Sequence, residues 1–213
     1  MPLINSVIKW INLKRIYQIQ LYWEHPHEIQ KETLLGLINN ARETEWGKNH
    51  HFSEISTVKD FQEGVPLQTY DDLKPYINRL REGEKDLFWP GDVKWFAKSS
   101  GTTSDKSKFI PVTRDALENC HLRGPKDVFA LYIKNFPETK ILKGKTLTLG
   151  GSHRINNFNN NSYYGDLSAI IIENVPFWTD FIRTPSNEIA LIDEFEEKIE
   201  RIIDATIDEN VTS

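Results

Sequence analysis

One stretch of the chain collects the residue types that hold phosphate. Between the apolar segments Val93-Lys94-Trp95-Phe96-Ala97 and Phe109-Ile110-Pro111-Val112 lie Lys98, Ser99, Ser100, Gly101, Thr102, Thr103, Ser104, Asp105, Lys106, Ser107 and Lys108. Gly101 lets the backbone approach an anion with no Cβ in the way. Successive backbone N–H groups and the hydroxyls of Ser99, Ser100, Thr102, Thr103 and Ser104 can donate hydrogen bonds to phosphate oxygens, and the Lys108 ammonium can neutralise their charge. Both flanks have the composition of short strands, so residues 98–108 are predicted to form the loop of a hairpin-like phosphate cradle. A Ser/Thr/Gly-rich run is also the composition of an ordinary solvated turn. The apolar flanks, in place of a linker, favour the cradle. Neither the Walker string G-x-x-x-x-G-K-[ST] nor the dinucleotide fingerprint G-x-G-x-x-G occurs.

The elements that must position this loop can be read on both sides of it. An amphipathic helix is predicted over 2–24, with Ile4, Val7, Ile8 and Ile11 at helical spacing, and docking on its own domain is favoured over lying on a membrane. Pro26 opens a second helix through Ala41. Thr57 and Thr69 or Asp71 are candidate caps of two further helices, the later one running towards Leu80. Beyond the loop, Thr113 is an expected N-cap, and Gly124-Pro125 should interrupt the helix it starts. Lys145-Thr146-Leu147-Thr148-Leu149 alternates like a strand and leads into Gly150-Gly151-Ser152, a candidate wall of the same site because ligands gather at the carboxyl ends of strands in open α/β sheets. Residues 156–162 are expected to be an irregular asparagine-rich loop. A last helix is expected from about Ser186 to Asp208, with Ile189, Ile192, Phe195, Ile199, Ile202 and Ile203 as its stripe and Glu194, Glu196, Glu197 and Glu200 on a solvated face.

The loop resembles the phosphate loop of the adenylate-forming superfamily, [ST]-S-G-[ST]-[ST]-G-x-P-K. Ser99 to Thr103 fit that form, Ser104 stands where a glycine is usual, and Lys108 matches the lysine after one extra residue. Further landmarks are Trp46-Gly47-Lys48-Asn49-His50, Val65-Pro66-Leu67 with Tyr70-Asp71-Asp72-Leu73, Phe109-Ile110-Pro111-Val112-Thr113, Gly150-Gly151-Ser152-His153 and Tyr164-Gly165-Asp166-Leu167-Ser168-Ala169-Ile170. Together they resemble the auxin-responsive acyl-acid amido synthetase family in its bacterial branch, whose members are similar in fold to firefly luciferase and acyl-CoA synthetases. The resemblance implies an α/β fold with helices packed on a mixed β-sheet, namely the N-terminal part of the large adenylate-forming domain. It implies ATP-dependent activation of a small carboxylic acid as an acyl-adenylate and transfer to an amine or amino acid, with ATP and Mg²⁺ as cofactors. Ser99, Ser100, Gly101, Thr102, Thr103, Ser104 and Lys108 would hold the polyphosphate. The helix after Thr113 would line the acyl pocket, where His121, Arg123 and Lys126 could attract a carboxylate, although a solvated or structural role is favoured for each; Gly151 and Ser152 are candidates for the same side, and no catalytic residue is assigned.

Measured against that family, the chain lacks the second and third nucleotide motifs and the smaller C-terminal domain. It is therefore expected to be an N-terminal portion, with 1–92 a mainly helical lead-in and 93–213 the α/β part, and by itself an incomplete site. Self-association through the surface that a truncation would expose is expected. Two alternatives stay open: a ligase with a thiol acceptor, and a non-catalytic module that binds an acyl acid or a protein.

Composition narrows the remaining classes. At 213 residues, 38% hydrophobic and 27% charged, the chain is long enough for a substantial core. A net charge of −5 argues against nucleic acid as a partner. No run approaches the length of a transmembrane helix and the N-terminus is not a secretory signal, so a cytoplasmic location is expected. The single cysteine, Cys120, supports no disulfide framework, and beside His121 it makes a poor nucleophile–base pair. No metal site is expected from His25-x-His27 or His50-His51.

Overall fold

The computed structural model describes residues 2–99, 107–141, 143–151, 156–159 and 162–213, with backbone alone over 2–11 and 156–159. In chain order the elements are α1 (Pro2–Glu24), α2 (Pro26–Ala41), α3 (Glu45–Asn49), α4 (Val58–Gly64), α5 (Tyr70–Arg81), β1 (Trp95–Lys98), β2 (Phe109–Val112), α6 (Arg114–Ala116), α7 (Arg123–Asn135), β3 (Thr146–Leu147), β4 (Asn156–Asn159), β5 (Ser162–Gly165), α8 (Leu167–Glu173), β6 (Arg183–Thr184), α9 (Asn187–Ala190) and α10 (Phe195–Thr206). The mixture of helices and a small mixed sheet is the expected α/β class. The chain divides into two compact units, one of residues 1–92 and 123–135, the other of 93–122 and 136–213.

The first unit is helical, and its local signals act as the sequence suggests. Thr57 and Thr69 each complete a capping box, accepting from the N–H of Asp60 and of Asp72 while those carboxylates accept from the cap N–H in return. Pro26 opens α2, where a missing N–H is tolerated, whereas Pro75, expected in the first turn of its helix, lies inside α5 and cannot donate to the Asp71 carbonyl. Ile38, Ala41 and Phe52 form a core that Leu34, Leu35, Trp46, Ile55, Phe61, Val65 and Trp89 cover. Gly47 is required at its place because a Cβ there would lie 2.2 Å from the Ala41 carbonyl oxygen. Helix α7 joins this unit through a two-pronged ion pair: Arg15 Nε donates to Asp127 Oδ1 at 2.5 Å and a terminal nitrogen donates to Oδ2 at 2.7 Å.

The second unit is built on a four-stranded sheet of order β2-β1-β5-β4. Strand β1 pairs antiparallel with β2, Lys98 opposite Phe109, and parallel with β5, Ala97 opposite Gly165. Trp95 and Ala97 face one side and Phe96 the other, as the two-residue period requires. Phe96 is fully buried, while Ala97 packs with Val112, Leu117 and Ile170, so α8 lies against the sheet. The other side of α8 meets Leu191 through Ala169 and Ile172. A second sheet pairs β3 with β6 in parallel, and Lys145 bridges Val211 on its far side.

Three expectations need correction. The asparagine-rich segment is not irregular: 156–159 form β4, antiparallel to β5 with a register shift between Asn157 and Asn159, because the β5 edge offers a ladder that outweighs weak strand propensity. The last helix is two, α9 and α10, since Glu194 caps a new start by accepting from the N–H of Glu197 at 2.6 Å. The face that α10 buries carries Lys198 and Ile202, whereas Phe195 and Ile203 of the expected stripe are exposed. Finally, the helix after Thr113 is interrupted before Gly124-Pro125. Thr113 caps α6, then a π-helical turn over Leu117–His121 ends where the Leu122 N–H donates to the Leu117 carbonyl, and α7 restarts at Arg123.

Candidate functional site

The hairpin expected around the phosphate-type loop is present. Strands β1 and β2 flank it, and past Lys98 the Ser99 N–H donates to the Lys108 carbonyl at 2.9 Å. The Lys108 N–H in turn lies 3.3 Å from Ser99 Oγ, so the base of the loop is closed by one backbone and one hydroxyl contact. Ser100, Gly101, Thr102, Thr103 and Ser104 lie outside the described residues, as does Ser152. Ser99 and Lys108 are therefore the two members of the expected phosphate set whose positions are defined.

Parallel pairing puts a second segment beside that loop. Because β1 and β5 run in the same direction with Ala97 opposite Gly165, Ser99 and Asp166 emerge from the same end of the sheet. Asp166 has the extended backbone of an N-cap, yet its side chain makes no capping bond to α8, contrary to the simple capping role its position suggests.

Gly150 and Gly151 come to the same place from β3. The Gly151 N–H donates to Ser168 Oγ at 3.0 Å, which ties the glycine turn to the first residues of α8. Both glycines are in close approach. A Cβ on Gly151 would sit 2.7 Å from Asp166 Oδ2 and from Ser168 Oγ, and one on Gly150 would sit 2.7 Å from Ile172 Cδ1 and 2.8 Å from the Ala190 carbonyl oxygen. From the other side Lys198 Nζ donates to the carbonyl oxygens of Gly150 at 3.3 Å and Gly151 at 3.1 Å. The peptide that joins the glycines is thus held by its carbonyl from α10 and by its N–H from α8.

The other expected acyl-side residues lie at the end of the π-helical turn and in the first residues of α7. His121 closes the π-helical turn in the second unit, half-buried, whereas Arg123 opens α7 in the first, and Lys126 is exposed on that helix. Pro125, lacking an N–H, suits the first turn of α7. Cys120 is exposed. Among the described residues no group of three or more His, Cys, Asp or Glu is placed to hold a metal ion, and no helix is long and apolar enough to cross a membrane.

Sequence reasoning missed Ser168 and Lys198. Ser168 lies within the segment 164–170, where its sequence context is that of an ordinary early helical residue. Lys198 was hidden by the charged run around it. Its one signal was its place four residues before Ile202, which puts the two on the same helical face.

Comparison with known proteins gives a consistent result. The profile of the GH3 family N-terminal domain matches residues 15–213. Jasmonoyl–L-amino acid synthetase JAR6 of Nicotiana attenuata is 33% identical over 125 residues, 56% of this chain and 20% of that protein. Its relative JAR4 from the same plant is 29% identical over 137 residues, 62% of this chain and 22% of that protein. Indole-3-acetic acid-amido synthetase GH3.2 of Arabidopsis thaliana is 26% identical over 148 residues, 66% of this chain and 27% of that protein. Among solved structures, the GH3.15 acyl acid amido synthetase superposes with a TM-score of 0.64 at 20% identity, covering 78% of this chain and 29% of that one. AtGH3.15 in complex with 2,4-DB gives a TM-score of 0.60 at 24% identity, covering 68% of this chain and 25% of that one, and at such identities the likeness is one of fold. The chain spans only about a fifth to three tenths of the length of these proteins. With a family profile running over nearly its whole length, this chain belongs to the GH3 family.

Proposed function

We propose that the chain is the phosphate-holding N-terminal portion of an ATP-dependent acyl-acid amido synthetase, which joins a small carboxylic acid to an amino acid through an acyl-adenylate. The observation that carries this reading is the β1–β2 hairpin. Its loop is closed at Ser99 and Lys108 and opens at the same sheet end as Gly165-Asp166. The names of the relatives support it, since they describe amido synthetases of indole-3-acetic acid and a jasmonoyl–amino acid synthetase.

In this reading residues 1–92 lead into the α/β part, 93–213, and the loop over 98–108 receives the β- and γ-phosphates of ATP. ATP supplies the activated phosphorus, and Mg²⁺ would accompany its phosphates. Ser99, Ser100, Gly101, Thr102, Thr103 and Ser104 donate to phosphate oxygens, and Lys108 offsets their charge. The Gly150-Gly151 turn, with Ser152 beyond it, is a wall on the acyl side. Glycine is required at 151 because Asp166 and Ser168 fill the space a Cβ would take. Catalysis of this kind rests on positioning and charge stabilisation, because the carboxylate oxygen is itself the nucleophile and needs no activating base. A cytoplasmic location belongs to the same proposal.

The test is ATP–pyrophosphate exchange with a panel of aryl and aliphatic carboxylic acids, indole-3-acetic acid and 2,4-DB among them. It should be run on the longest form the gene encodes beside the 213-residue chain. Carboxylate-dependent exchange in the longer form alone is the expected result. Exchange in neither form, with every acid, would overturn the adenylation reading in favour of a binding module.

A further inference from the structure

The glycine turn is held by a residue that neither the family landmarks nor the phosphate loop account for. Lys198 is 7% exposed, on the buried face of α10, and its Nζ is spent on two backbone carbonyls, those of Gly150 and Gly151. A lysine of this kind is unusual, since long cationic side chains ordinarily reach for solvent or a carboxylate. Its neighbours Glu194, Glu196, Glu197 and Glu200 are exposed, and Glu194 is engaged in capping the helix. A side chain needed only to fill the α10 interface would be apolar, as Ile202 is one turn later. What an amine provides there is a pair of hydrogen bonds to a turn that has no side chains of its own to anchor it.

We propose that Lys198 is a positioning residue for the acyl-acid side of the site. It clamps the carbonyls of Gly150 and Gly151 from beneath while Ser168 holds the Gly151 N–H from α8, and so fixes the wall against which the carboxylic acid binds. This rests on the adenylation reading for the identity of the ligand, but not for the clamp. Because the clamp acts on the glycine turn and not on the 98–108 loop, it affects the acid and leaves ATP alone. The Gly150–Gly151 peptide is held by α8 at its N–H and by α10 at its carbonyl, so loosening one grip frees the wall without opening the sheet.

The experiment compares Lys198→Met with the unaltered protein by two readouts. In the 213-residue chain, NMR-detected hydrogen exchange at the Gly151 amide should become about tenfold faster, while the amides of β1 and β5 keep their protection. In the longest form, pyrophosphate exchange should show KM for the acid raised about tenfold with KM for ATP within about twofold. Unchanged Gly151 exchange would overturn the clamp. A rise in both KM values together with lost protection in β1 and β5 would make Lys198 a structural residue only. Should Lys198→Met not fold, Lys198→Gln, which keeps a donor on a shorter stem, is read by the same two measurements and is expected to fall between the two. Absence of exchange in the unaltered longest form would overturn the adenylation reading alone, since the Gly151 amide still reports on the clamp.

Discussion

Single residues in this chain are fixed by hydrogen bonds that can be titrated or removed one at a time. Asp60 is the plainest case. Its carboxylate accepts from the N–H of Ser56 at 2.9 Å, the hydroxyl of Ser56 at 2.9 Å and the N–H of Thr57 at 2.8 Å. The Ser56 amide first, then the hydroxyls of Thr57 and Ser56, hold its pKa down from 3.8 to about 2. The folded value lies below the unfolded one, so this contribution to stability is complete above the ordinary carboxylate range and disappears as pH falls through about 2. Carbon-detected NMR should place the Asp60 midpoint near 2, and a midpoint at the ordinary carboxylate value would refute the capping geometry. The proposed phosphate contacts are tested at the same scale. Lys108→Ala and Thr102→Val, made in the longest form, should each raise KM for ATP about tenfold by removing a charge-assisted or neutral donor, with thermal stability unchanged. If both variants handle ATP as the unaltered protein does, the phosphates lie elsewhere.

At the scale of elements, α7 is tied to α1 by the Arg15–Asp127 ion pair, which neighbouring sequence does not reveal. Arg15 holds the Asp127 carboxyl below its ordinary range through a direct hydrogen bond. Asp127→Asn should therefore cost about 1–3 kcal/mol in urea unfolding, because it leaves a largely covered guanidinium without its charge partner. A change within error would show that apolar packing alone holds the two helices. This pair also shows why some of the fold was legible and some was not. Caps are local: Thr57, Thr69 and Thr113 each announce a helix start within four residues, and all three act as caps. The split at Glu194 and the pairing of 156–159 with β5 depend on contacts that no short window contains, and there the expectations failed. The same division runs through the candidate site. The hairpin loop is contiguous and could be read directly, whereas the grip on Gly150-Gly151 needs Ser168 and Lys198 from distant segments, and Lys198 was masked by the acidic residues beside it.

At the scale of the whole molecule, the second unit exposes large apolar side chains in number. Phe177, Phe181, Phe195 and Ile207 are each more than two-thirds exposed, and Phe195, Ile203 and Ile207 recur at intervals of four or eight along α10 and its end. Surfaces of this kind are covered in most soluble proteins. The 213-residue chain alone should therefore self-associate in sedimentation at micromolar concentration and bind a hydrophobic dye. A strictly monomeric, dye-silent chain would contradict an uncovered interface. Adenylation by the protein that carries this GH3-type portion is decided by following an oxygen atom. With a carboxylic acid labelled with ¹⁸O in its carboxyl group, the longest form, ATP and an amino acid, attack on the α-phosphorus expels pyrophosphate. Amide formation then leaves one carboxyl oxygen on AMP. Labelled AMP in proportion to the amide formed is the expected result; label appearing in inorganic phosphate, with unlabelled ADP as the other product, would refute an adenylate intermediate.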